Sequence, residues 1–359
     1  MRITVLGGGN GSYAAAADLS SLGHEVCLWR RDRQQLQPLM LTRQLGLKDY
    51  SGRRDVPLAS ITGDIGAAVR GAELIVIPIP AFAHETVAAA LAPHLADGQV
   101  IFLPPGTFGS YAMMRTIRRA GCTADVSFAE TGTLPWLARK HGPDVVAITC
   151  RATRLPTGVF PACNGLHAFA ILRAAFPSVE PIEDALAGAL MNAGPIIHPP
   201  LILMNAGPLE HFEKWDIHNE GTQPSIRRVT DALDAERIAV RQGLGYTGEH
   251  FPLSDHYNND RWMYGDAHNR LVDSGDWREH IVLTEHRYMT EDIHYGLAFL
   301  VSVADWADIP APLATGLLAV ASAVCGKDLR RGSRTLEALG LAGLSRASMA
   351  TLLARGETS

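Results

Sequence analysis

Two folding units, an α/β domain over residues 1–180 and an all-helical domain over residues 181–359, are predicted by three features of the chain. The first is a strand, glycine turn, helix and strand at the N-terminus. The second is a series of short apolar runs ending in proline, glycine or threonine. The third is a change near Ile182 to long helical periodicity with polar connections.

Residues 2–6 read as an apolar strand, and Gly7-Gly8-Gly9-Asn10-Gly11-Ser12 as a tight turn. An alanine-rich helix over 13–22 and a strand over 26–29 follow. Such a unit seats a dinucleotide's pyrophosphate on a helix N-terminus and defines a Rossmann-type domain. Gly7 supplies the turn's backbone angles, and Gly9 lets a phosphate approach the main chain. Ser12 takes the place of the third glycine, a small residue that still permits close helix packing. Gly7, Gly9, Asn10, Gly11 and Ser12 are therefore candidate cofactor contacts.

The position that would carry a ribose-binding acid for NAD is Arg30, followed by Arg31. A carboxylate repels a 2′-phosphate, whereas guanidinium forks match its charge and geometry. NADP is the favoured cofactor. NAD is the alternative should Asp32 fall at the strand end.

Residues 72–79 form a nearly continuous apolar run, as expected of a parallel strand buried on both faces. Pro78 and Pro80 mark its exit, with His84 opening the next helix. Further strands are expected at 99–103, ending in Pro104-Pro105-Gly106-Thr107, and at 126–129, ending in Glu130-Thr131-Gly132-Thr133. Segments 145–150 and 158–163 are read as edge strands. Open parallel sheets bind ligands beyond the carboxyl ends of their strands, so Pro80, His84 and Thr131 lie at the expected cleft. Helices are expected at 185–205, 225–243, 289–306, 311–325 and 336–353. The intervening segment, 245–280, is polar and aromatic, with Tyr246, Phe251, Tyr257, Trp262, Tyr264 and Trp277.

The chain is long enough for two cores. Hydrophobic content of 47% and charged content of 19% are those of an ordinary globular protein. A net charge of −5, with no long basic run, argues against nucleic acid as a partner. The N-terminus runs straight into a strand, with no signal peptide expected. Prolines or charges interrupt the apolar stretches, so no membrane span is expected. Cys27, Cys122, Cys150, Cys163 and Cys325 form no CxxC pair, which fits reduced thiols in a cytoplasm. The fourteen histidines show no zinc spacing, and no metal is expected. Apolar helices such as 311–325 suit a homodimer and core burial equally.

Two clusters in the helical half carry chemistry. His198 lies in Asn192-Ala193-Gly194-Pro195-Ile196-Ile197-His198-Pro199-Pro200, where the prolines are expected to break the helix. A core histidine at a kink is the competing reading. Arg287-Tyr288-Met289-Thr290-Glu291-Asp292 is the second cluster, with Thr290 read as an N-cap. An Asp bonded to one imidazole nitrogen fixes the tautomer and supports the imidazolium.

These clusters and the N-terminal turn together resemble the opine dehydrogenases, along nearly the whole chain. The resemblance includes Leu6 to Asn10, Pro105-Gly106, Glu130-Thr131, Asn192 with His198-Pro199, and Val229 followed by Asp234-Ala235-Glu236-Arg237-Ile238. It continues through Arg287-Tyr288 with Glu291-Asp292 and Gly296-Leu297, and ends with Arg334-Thr335-Leu336-Glu337 and Leu339-Gly340-Leu341. It implies a helical domain like the C-terminal domain of 6-phosphogluconate dehydrogenase. It also implies NAD(P)H-dependent reductive condensation of an amino acid with a 2-oxo acid, often pyruvate. His198 is then the catalytic acid–base, Asp292 its partner and Arg287 the carboxylate anchor, with Asn192 and Thr131 as further substrate contacts. Gly194 departs from members that carry a second Asn there.

The rival readings are a ketone reductase of the glycerol-3-phosphate dehydrogenase or ketopantoate reductase type, and a non-catalytic NAD(P) sensor. The former relies on lysine, and the helical half offers only Lys214 and Lys327, away from both clusters. The latter has no need of His198, Arg287 and Asp292.

Overall fold

The computed structural model describes residues 1–254, 256, 261–262, 267–275 and 280–356. Its strands, in chain order, are β1 (Arg2–Leu6), β2 (Glu25–Trp29), β3 (Gln44–Asp49), β4 (Gly52–Pro57), β5 (Ser60–Thr62) and β6 (Leu74–Val76). They continue with β7 (Val100–Leu103), β8 (Ser127–Thr131), β9 (Trp136–Lys140), β10 (Val145–Arg151), β11 (Leu155–Phe160) and β12 (Val179–Pro181). Eight of them form one sheet in the order β12-β11-β8-β7-β6-β1-β2-β5. All neighbours pair parallel except β8 and β11, which run antiparallel. Residues of β1, β6 and β7 such as Val5, Ile75 and Phe102 are fully buried, as a doubly covered parallel sheet requires. Each such burial contributes about 1.5–3 kcal/mol.

A second sheet, β4-β3-β10-β9, goes beyond what the sequence predicts. Segment 145–150, expected at an edge of the main sheet, belongs here instead; 155–160 lies inside the main sheet between β8 and β12. The small sheet packs on the first helix, Asn10–Ser21, through Asp18. That carboxylate accepts from Trp136 Nε1 at 2.7 Å and from Arg151 Nη2 at 2.7 Å. Arg151 also donates to Asp49 Oδ2 at 2.8 Å, so one guanidinium ties the helix to β3.

The main sheet ends at Pro181, and helices take over from Ala185. The expected helix over 185–205 is two helices, Ala185–Ala189 and Gly194–Met204. The break falls at residues 190–193, ahead of the prolines rather than at His198. Pro195 sits in the first turn, where its missing N–H costs nothing. Pro199 and Pro200 are held inside the helix. The apolar run Ala185–Met204 is long enough to cross a membrane by length and composition, but 83% of its most apolar window is buried in the fold.

Helices Pro224–Gly243 and Pro312–Cys325 match expectation. Segment 336–353 does not: only Arg346–Arg355 is helical, preceded by turns. The expected helix over 289–306 is a π-helix, Tyr288–Leu297, continued by an α-helix, Ala298–Ala307.

His84 opens the helix His84–Leu91 as expected, but it is no cofactor contact: its ring is completely buried. Its Nε2 donates to Ile79 O at 3.2 Å, bracing the exit of β6. Burial, aided by the nearby Arg334 charge, lowers its pKa from 6.5 to about 3. Between those values the unfolded chain binds a proton that the folded one refuses, so stability rises with pH and is lost on acidification. Replacing His84 by Gln keeps a donor and removes the titration. Between pH 6.5 and 4.5 the wild type should lose about 2 kcal/mol more than His84→Gln in urea unfolding; equal losses in both proteins would contradict this.

Candidate active site

Gly7 turns the chain out of β1 at φ 130°, a conformation that L side chains rarely adopt. The helix that follows has Gly9 at its N-cap, so no side chain caps its first N–H groups. Ser12 is fully buried, and its Oγ has no hydrogen-bond partner among the described residues. Asn10 ties the turn to β9, since its Oδ1 accepts from Lys140 N at 3.0 Å. Nothing in the sequence marks Lys140, because β9 lacks the apolar run of a buried strand. Its Nζ donates to Gly8 O at 3.3 Å and lies 3.7 Å above the Tyr13 ring, adding a cation beside the glycine turn.

Arg30 leaves the end of β2, and its guanidinium lies over Gly8, where a Cβ would strike Nε at 2.5 Å. It donates to Gln35 Oε1. Arg31 is exposed beside it. Asp32 is occupied within its own turn, where Oδ1 accepts from Gln34 N at 3.0 Å and Oδ2 from Gln35 Nε2 at 2.7 Å. The guanidinium, rather than the carboxylate, adjoins the glycine turn. Pro80 is exposed at the exit of β6 and stands before the turn Ala81–Ala83.

Across from this turn, His198 Nδ1 lies 2.7 Å from Asp292 Oδ2. The two side chains come from the helix Gly194–Met204 and the π-helix Tyr288–Leu297, and both are buried, at 8% and 5% exposure. The carboxylate can only accept, so Nδ1 donates and Nε2 is left to take or give a proton. Thr290 is not an N-cap; the helix begins at Tyr288 after Arg287, and Thr290 Oγ1 donates to His286 O at 3.3 Å. Asp292 therefore lies beyond the first turn, and the helix dipole does not account for it. Gly194 does account for its approach: a Cβ there would overlap Asp292 Oδ1. A larger side chain at 194 would require the carboxylate to shift from this position.

Tyr288 is a second residue that sequence reasoning does not single out. Its ring stacks on the His198 imidazole with centroids 3.7 Å apart and planes at 12°, and its hydroxyl pairs with His218 Nε2 at 2.7 Å. One face of the imidazole is thereby fixed. The only hint in the sequence is the adjacency Arg287-Tyr288.

One cleft is lined by His198, Asp292, Arg287, Asn192, Asn10 and Tyr288, among others, so the expected triad meets Asn10 at the end of the glycine turn. Asn192 Nδ2 donates to Thr107 Oγ1 at 2.8 Å and its Oδ1 accepts from Gly194 N at 3.0 Å. Thr131 is not brought to the cleft. It is fully buried in β8, where its hydroxyl donates to Pro156 O at 2.8 Å; its neighbours Gly132 and Thr133 line the cleft instead. Strand alternation turns Thr131 inward. Tyr257, Tyr264 and Trp277 lie outside the described residues.

The remaining motifs hold the frame. Glu130 accepts from Phe108 N at 2.7 Å and from Ser110 Oγ, and burial pushes it up to about 7. Asp234 accepts from Arg237 Nε at 2.7 Å and from Leu253 N at 2.6 Å. Arg237 in turn donates to Leu190 O at 3.2 Å, satisfying a carbonyl where the helix breaks ahead of His198.

Comparison with known proteins agrees with this geometry. Residues 181–325 match the family described as NAD/NADP octopine/nopaline dehydrogenase, alpha-helical domain. Residues 2–105 match the NAD-dependent glycerol-3-phosphate dehydrogenase N-terminus, and that likeness stops before the helical half. An opine dehydrogenase from Arthrobacter sp. (strain 1C) is 28% identical over 352 residues, covering 96% of each chain. Among solved structures, octopine dehydrogenase in complex with NADH and agmatine superposes with a TM-score of 0.74 at 19% identity, covering 100% of this chain and 99% of that one. NADP+-bound yersinopine dehydrogenase does so at 0.68 and 16% identity, covering 99% and 98%. The similarity thus runs over both halves: the helical half matches the octopine/nopaline dehydrogenase model, and an opine dehydrogenase aligns with this chain nearly end to end.

Proposed function

We propose that this protein is an NAD(P)H-dependent opine dehydrogenase, an oxidoreductase acting on CH–NH bonds. It joins the amino group of an amino acid to a 2-oxo acid, such as pyruvate, and reduces the imine between them. The observation that carries the reading is the 2.7 Å His198–Asp292 pair in a cleft shared with Arg287 and with Asn10 at the end of the glycine turn. Relatives support it: octopine dehydrogenase has been solved with NADH and pyruvate, and with NADH and L-arginine.

The residues present fit a dinucleotide. Gly7 at positive φ, the helix N-terminus after Gly9 and the unpartnered Ser12 Oγ make a cradle for a pyrophosphate. Arg30 and Arg31 suit a 2′-phosphate, which favours NADP over NAD. When bound, the reduced nicotinamide supplies the hydride.

In the cleft, Arg287 holds the 2-oxo acid carboxylate through a two-pronged contact and so orients the carbonyl carbon. His198, protonated on Nε2, hydrogen-bonds the carbonyl oxygen and passes that one proton to it, so that the oxygen leaves as water and the protonated imine forms for the hydride to reduce. Asp292 stabilises the imidazolium through Nδ1 and keeps the ring in one tautomer. Tyr288, stacked on the ring, holds its plane. Asn192 lines the same space, and its bond to Thr107 joins the helical half to the exit of β7. In the reverse direction neutral Nε2 takes a proton from the water that attacks the imine. Cytoplasmic residence and a homodimer belong to the same reading; the absence of disulfides among the five cysteines and the exposed Val320 and Val324 on the helix Pro312–Cys325 support them.

The test is NADPH oxidation with pyruvate and a panel of amino acids. Oxidation that requires the amine supports the reading, and oxidation with pyruvate alone points to a simple ketone reductase. His198→Ala and Asp292→Asn should each lower kcat by ~10²–10⁴-fold with NADPH affinity retained; wild-type turnover in either would remove these roles. Arg30→Ala should raise KM for NADPH by about tenfold while leaving KM for NADH nearly constant, the size of one charge-assisted contact. Equal effects on both cofactors would show that Arg30 does not read the 2′-phosphate.

A further inference from the structure

The loop that leaves β6 passes through Pro80 into a short turn, Ala81–Ala83, at the sheet edge where a dinucleotide lies in folds of this kind. Both sides of Ala81 are gripped by the helical half. Its N–H donates to Glu291 Oε1 at 2.8 Å, and its carbonyl accepts from Arg334 Nη2 at 2.9 Å. Arg334 is 2% exposed and also donates to Thr107 O at 3.4 Å, at the exit of β7. Two strand exits of the nucleotide half are thus drawn to one buried guanidinium.

Glu291 stands one residue before Asp292 on the π-helix. We infer that Glu291 is a positioning residue: by holding Ala81, it sets the cofactor loop of β6 relative to the His198–Asp292 pair, with Arg334 as the second clamp. The inference rests on the opine dehydrogenase reading for its kinetic consequences. A rigid carboxylate between loop and catalytic helix means that neither can shift without the other, since Ala81 is fixed through its own peptide groups.

The surroundings of Glu291 agree with a group held for its geometry. Its Oε2 is buried with no hydrogen-bond partner among the described residues. Burial raises its pKa to about 7; the Ala81 N–H, Arg287 and Arg334 act against that rise, and Asp292 adds to it. A carboxyl group poorly solvated on one side and committed to a backbone donor on the other is costly to keep unless the contact matters.

Three variants separate positioning from bulk stability. Glu291→Ala loses the acceptor. Glu291→Gln keeps a carbonyl that accepts from Ala81 N–H. Ala81→Pro removes the donor at the first residue of the turn, where proline is tolerated, behind an extended Pro80 with ψ 149° that suits a following proline. Glu291→Ala and Ala81→Pro should each raise KM and Kd for NADPH by about tenfold and lower kcat, with KM for the 2-oxo acid within about twofold of wild type. The double variant should be no worse than either single one, and Glu291→Gln should restore most of the loss. Unchanged NADPH affinity and kcat in Glu291→Ala, multiplying effects in the double variant, or no rescue by Gln would each overturn the assignment. Kd for NADPH, read by fluorescence, tests it even if wild-type protein shows no amine-dependent oxidation, an outcome that would instead defeat the proposed reaction.

Discussion

The bond between His198 Nδ1 and Asp292 Oδ2 joins residues 94 positions apart at 2.7 Å, and much of the helical half is arranged around that demand. The two helices that carry them must touch closely. Gly194 and Gly296 make this possible, because a Cβ on either would collide with Asp292 or Pro195 across the interface. The break at residues 190–193 aims the His198 helix, and Arg237 satisfies a carbonyl there. A buried acid–imidazole pair of this kind is costly to assemble and more costly to break, since removing one partner strands the other without water.

The nucleotide half meets this pair through strand exits rather than through strand interiors. Residues inside the sheet, such as Thr131, are turned to neighbouring strands, while Gly132, Thr133 and Thr107 face the helical half or the cleft. The small second sheet closes the other side. It presses on the first helix through Asp18 and brings Lys140 over the glycine turn. Positive charge from Lys140 and Arg30 thus collects beside the glycine turn, although the whole chain is net negative. Local field, not total charge, decides what such a site attracts.

The parts of the site legible from sequence are those with local geometry. The glycine turn, the strand end at Arg30, and the helix after Pro195 each follow from backbone rules that act within a few residues. His198, Arg287 and Asp292 are legible as residue types in the two clusters on which the resemblance to the opine dehydrogenases rests, and they do line one cleft. The departures from expectation share a cause. Strands β3, β4 and β9 carry mixed polar and apolar residues because one face packs on a helix, so they lack the solid apolar run that marks β6. His84 and Thr131 do stand near strand exits, but one ring turns inward to Ile79 O and one hydroxyl to Pro156 O.

The π-helix illustrates what no linear pattern can supply. Hydrophobic spacing over residues 289–306 suits an ordinary helix, yet Tyr288–Leu297 winds more widely where it packs against the helix of His198. By itself, the sequence determined the α/β-then-helical plan, the dinucleotide turn and the candidate acid–base residues, because those depend on short-range stereochemistry and residue chemistry. Only the tertiary structure decided which carboxylate reaches the imidazole, that Tyr288 stacks on it, and that Glu291 and Arg334 grip Ala81. Those contacts join residues scores to hundreds of positions apart, and side-chain direction at such range is set by packing rather than by neighbours in the chain.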